Sequence, residues 1–112
     1  MKKLFLILLM IVSFQSFGQN DKCLDITNNI ITNIKGKVLS QNSDYIKCEF
    51  LPKYTLNDIK TVCDTIAIKT AKPSFNWRLN SDKNYEKEFI VNGKKLLFTI
   101  YENDKVLYFE FP

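Results

Sequence analysis

The chain has 112 residues, with 16 Lys and Arg against 12 Asp and Glu, three cysteines and no histidine. Without an imidazole there is no Ser-His-Asp or Cys-His catalysis, and the ligand most catalytic zinc sites use is missing. Three cysteines at spacings of 25 and 15, with no C-x-x-C, do not make an all-cysteine zinc site. The sequence therefore assigns no catalytic, cofactor-binding or metal-ligating residue and calls for no cofactor. General acid–base work is left to Asp, Glu, Lys or Tyr.

The first 18 residues read as a cleaved secretory signal peptide. Lys2 and Lys3 form a positive tip, an apolar run extends from Leu4 through Val12 to Phe14, and Ser16 and Gly18 sit at small-residue cleavage positions. A membrane-spanning helix needs about 20 apolar residues, and this run stops at Gln15, so no span is expected after cleavage. Cys23 follows Asn20, Asp21 and Lys22, a charged approach unsuited to a lipid-attachment signal.

Removing 18 of 112 residues leaves 94, residues 19–112, as a single small domain. Lys2 and Lys3 leave with the leader, which lowers the net charge from +4 to +2. The longest like-charged run in the remainder is Lys94-Lys95, so the basic stripe of a nucleic-acid binder is absent. Abundant Lys, Asn and Ile, with Arg78 as the only arginine, point to an AT-rich bacterial source. The expected address is the periplasm or the medium.

The first element is an amphipathic helix from about Asp21 to Lys35. Ile26, Ile30, Ile34 and Val38 recur at four-residue steps beside Cys23, Thr27 and Ile31. Asn20 or Asp21 caps its start, and Gly36 ends it in the left-handed conformation. Residues 40–44 read as a loop. Ile46, Cys48 and Phe50 alternate with Tyr45, Lys47 and Glu49, giving a possible short extra strand over 45–50 that ends at Pro52. Thr55 and Asp58 form a capping box with Asp in place of Glu, and Leu56, Ile59, Val62, Cys63 and Ile66 follow at helical spacing to about Ile68. In an oxidising compartment one disulfide is expected. Cys48 and Cys63 are the favoured pair, because both lie ~12 Å from a fold-back at Pro52. Cys23 is then the odd thiol.

The C-terminal half reads as a four-stranded antiparallel meander, over about 74–80, 85–91, 94–102 and 105–111. Asn92-Gly93 between alternating flanks is a type I′ hairpin turn. It sets Val91 opposite Lys94, Phe89 opposite Leu96 and Lys87 opposite Phe98. A second tight turn at Asn103-Asp104 sets Ile100 opposite Leu107 and Phe98 opposite Phe109. The two registers agree, and together they gather Phe89, Val91, Leu96, Phe98, Ile100, Leu107, Phe109 and Phe111 on one face. Phe75 and Trp77 join that face if Leu79 pairs with Tyr85 and Phe75 with Phe89. The opposite face carries Glu86, Glu88, Ile90, Lys95, Leu97, Thr99, Tyr101, Val106, Tyr108 and Glu110.

The expected class is α+β, with two helices (21–35 and 56–68) on one face of the meander. This element order is similar to the cystatin-like fold and to the two-helix, four-strand fold of bacterial inhibitor and outer-membrane assembly modules. The similarity is one of order alone and carries over no functional residue.

Three functions compete. The favoured one is an exported, non-enzymatic binding module, such as an inhibitor, an immunity-type protein or an envelope accessory. Its partner is another protein of the envelope or medium, met through Leu97, Thr99, Tyr101 and Tyr108. The alternative is a carrier of a small apolar ligand or lipid, with Phe75, Trp77 and Tyr85 lining a pocket between helix and sheet. The third is a carboxylate enzyme built on Glu86, Glu88 and Glu110, in which Glu88 and Glu110 flank Leu97 at ~10 Å.

Overall fold

Asn92 and Gly93 both have positive φ, 52° and 79°, which is the backbone a type I′ turn requires. In the computed structural model, which describes residues 22–112, this turn joins strand β4 (Tyr85–Val91) to β5 (Lys94–Tyr101). The observed pairs are Val91 with Lys94, Phe89 with Leu96 and Lys87 with Phe98. A second turn, with Lys105 at φ 57°, leads into β6 (Val106–Glu110) and pairs Ile100 with Leu107 and Phe98 with Phe109. Both registers are those the turns and the apolar alternation set. The proposed leader, residues 1–18, lies outside the described residues.

The sheet has six strands rather than four. β1 (Lys37–Gln41) and β2 (Tyr45–Glu49) form a hairpin at one end and β3 (Lys72–Leu79) lies at the other, giving the antiparallel order β1-β2-β6-β5-β4-β3. β2 docks on β6, with Ile46 opposite Phe109 and Cys48 opposite Leu107. The expected 40–44 loop is shorter than the sequence suggests, because Ser40 and Gln41 belong to β1. The Asn42 side chain accepts from the amides of Asp44 and Tyr45 at 2.7 and 3.1 Å, which closes the hairpin.

Helix α1 runs Lys22–Asn33 and α2 runs Leu56–Ala67. The capping box at α2 forms as read. The Thr55 amide donates to Asp58 Oδ2 at 2.9 Å and the Asp58 amide to Thr55 Oγ1 at 3.1 Å. The end of α1 differs from expectation, since Lys35 (φ 52°), not Gly36, takes the left-handed turn. Gly36 donates back to the Ile31 carbonyl at 2.9 Å, the long-range bond of a Schellman end. Its lack of a side chain serves a close approach instead, because a β-carbon there would stand 3.2 Å from Cys48 Sγ. Val38, read as the helix's last apolar step, lies in β1 opposite Cys48.

Both helices cover one face of the sheet. Cys23, Leu24, Ile26, Ile30 and Ile34 from the α1 region, and Ile59, Cys63 and Ala67 from α2, join Ile46, Cys48, Phe89, Val91, Leu96, Phe98, Ile100, Leu107 and Phe109 in one core. The rings of Phe89 and Phe109 flank Phe98 at 5.6 and 5.5 Å, tilted and edge-on, the geometry aromatic quadrupoles prefer. No helix among the described residues is long and apolar enough to cross a membrane.

Two expectations about side chains are corrected. The Cys48–Cys63 disulfide is not formed. All three cysteines are buried thiols, and Cys48 and Cys63 act as small apolar fillers in the core. Phe75 does not join the core face. β3 changes register twice along β4, between Pro73 and Phe75 and between Phe75 and Arg78. Leu79 pairs with Tyr85 as expected, but Phe75 pairs with Glu88 and so lies on the outer face, beneath the Arg78 guanidinium at 3.6 Å. Trp77 keeps the inward position and stacks on Phe98 at 6.5 Å.

Candidate functional site

Strand pairing turns the outer sheet face into a grid. One row runs Lys47, Tyr108, Thr99, Glu86, Arg78 across β2, β6, β5, β4 and β3. The next runs Tyr45, Glu110, Leu97, Glu88, Phe75. On the other side of the first row, Tyr101 faces Val106. All four residues read from sequence as a partner surface, Leu97, Thr99, Tyr101 and Tyr108, therefore share one side of two adjacent strands.

Side chains diagonally opposite on neighbouring strands come within reach when they are large. Tyr45 and Tyr108 stack at 5.2 Å with 25° between ring planes, and Tyr101 tilts against Tyr108 at 6.3 Å. The result is a ribbon of three tyrosines over β2, β6 and β5, with Tyr108 in the middle. The Tyr45 hydroxyl donates to Ser40 Oγ at 3.3 Å, which ties the ribbon to β1. The rings stand against one another, so their faces are partly used within the ribbon. Thr99 is only 4% exposed and serves as the floor between larger neighbours. Leu97, Tyr101 and Tyr108 are half-buried.

Carboxylates flank this ribbon. Burial raises the Tyr108 phenol above its ordinary value, and Glu110, Tyr45 and Tyr101 add to the rise. Burial likewise raises Tyr101, followed by Glu110 and Asp82. Glu110 thus faces both rings. Glu86 is held by Arg78 Nε at 3.0 Å, while Glu88 accepts from the Ser74 hydroxyl at 2.7 Å. Glu88 and Glu110 flank Leu97 from either side, as the register requires.

Tyr45 was missed as a site residue. The alternation of β2 already places it opposite Ile46, Cys48 and Phe50 in direction. The missing information was that β2 adds to β6, a pairing with no connecting turn to announce it.

A second polar cluster lies on the inner face. Lys87 sits opposite Phe98 with its side chain only 8% exposed, and its ammonium donates to Asp64 Oδ1 of α2 at 2.7 Å. The Trp77 indole N–H donates to the same carboxylate at 3.1 and 3.2 Å. The Lys60 ammonium lies 3.9 Å from the centre of the Tyr85 ring. Every polar group here is partnered, so the cluster clamps α2 to β3 and β4. Beside it, burial raises the Cys63 thiol well above its ordinary value, as do Asp64 and Cys48, while Lys87 opposes them. Such thiols are poor nucleophiles.

The residues expected to line a ligand pocket are dispersed. Trp77 is bonded to Asp64, Tyr85 lies under Lys60, and Phe75 is on the other side of the sheet. Two open depressions of about 440 Å³ are lined by other residues, one around Ile68, Ala71 and Ile90 and one around Asp25, Asn29 and Ile66. Among the described residues no group of three or more His, Cys, Asp or Glu is placed to hold a metal ion. Comparison of the chain with protein-family models, with curated proteins and with solved structures returns no match.

Proposed function

We propose that this chain is an exported, non-enzymatic interaction module whose partner surface is the outer sheet face, centred on Leu97, Thr99, Tyr101 and Tyr108 and extended by Tyr45. The tyrosine ribbon carries the reading. Three half-buried aromatic side chains line up across three strands on the face that neither helix covers. Tyrosine offers a large contact area with few rotors and a hydroxyl that tolerates water, which suits a face that is wet alone and dry when bound. The ribbon stands on a rigid floor, since Phe98, Ile100, Leu107 and Phe109 behind it are fully buried. A preformed face loses little entropy on docking.

The test compares wild type with the double variant Tyr101→Thr, Tyr108→Thr, which keeps strand-compatible residues at both positions. Each chain is used to capture partners from envelope and culture-medium fractions, and thermal midpoints are measured in parallel. The expected result is loss of a specific captured species with a nearly unchanged midpoint. Capture that survives the substitutions, or a variant that unfolds, overturns the reading.

A further inference from the structure

We draw no further inference here: the strongest candidate, the surface patch of Lys22, Lys69, Lys72 and Lys95 beside the exposed Ile68 at the Asn92-Gly93 end of the sheet, is interleaved with Asp25 and Glu88, and nothing in the structure shows what covers it.

Discussion

The two sides of the sheet place charge in opposite ways. On the inner side, the row Ile46, Phe109, Phe98, Lys87 contains one cation, and the fold satisfies it internally: Asp64 reaches down from α2 and Trp77 shares the same carboxylate. On the outer side, the rows through Tyr108 and Leu97 hold Glu86, Glu88 and Glu110 together with Lys47 and Arg78, and of these carboxylates Glu86 is the one in an ion pair. A buried lysine without its carboxylate is a liability to folding, whereas a half-wet carboxylate can wait for a partner. The inner charge therefore serves the architecture, whereas the outer charges stand at the solvent face of the sheet.

The sharpest way to break this contrast is in the core. Phe98→Ala removes the ring between Phe89, Phe109 and Trp77 and is expected to cost about 3–5 kcal/mol, read as a lowered urea midpoint or outright unfolding. A somewhat smaller loss, about 2–3 kcal/mol, is expected for Asp64→Ala, which leaves the Lys87 ammonium and the Trp77 N–H without their acceptor. Restoring an apolar core by adding Lys87→Met should recover much of that loss, because no uncompensated charge remains. If Asp64→Ala leaves the urea midpoint where it was, the clamp contributes nothing and the distinction between the two sides dissolves.

The smallest effect at neutral pH is that of the titratable thiol, which shows only on the alkaline side. Burial pushes the Cys48 thiol from its ordinary value of 9.0 up to about 12, with a hydrogen bond involving the Leu107 backbone opposing the shift. Over that interval the unfolded chain loses a proton that the folded chain keeps. The thiol's contribution is complete below 9.0 and declines as pH rises toward 12. Cys48→Ala should flatten the alkaline decline in folding stability. The phenols of Tyr101 and Tyr108 are raised in the same direction, but they are only half-buried where Cys48 is fully buried, so their substitution should flatten the slope far less. Urea midpoints across the alkaline range rank the two sides. An alkaline slope that Cys48→Ala leaves intact would place its source elsewhere.

The meander was readable because two turns and one alternation pattern all specify the same register, and a one-residue slip would have exposed Phe98 and Phe109 together. The features that escaped each depended on a contact distant in sequence. Lys37–Gln41 has no alternation and becomes a strand only because β2 pairs with it. Phe75 was misplaced because β3 shifts register twice, which no local residue announces. Gly36 looked like a left-handed helix end, yet its real constraint is Cys48 on another element. Lys87 was already set opposite Phe98 by the hairpin, but its acceptor lies 23 positions away in α2. On the outer face, Leu97, Thr99, Tyr101 and Tyr108 follow from strand alternation alone, while Tyr45 needed the β2–β6 pairing.

The two rims of the sheet have a consequence of their own. β1 and β3 are the terminal strands, and both are irregular: β1 slips between Val38 and Ser40, β3 slips twice, and Pro73 cannot donate an amide hydrogen. Uneven borders are poor templates for lengthwise addition of a foreign strand, which discourages end-on polymerisation when many copies are crowded together. The backbone at the margins is thereby kept from serving as a docking rail, and the exposed chemistry of the sheet is that of its side chains.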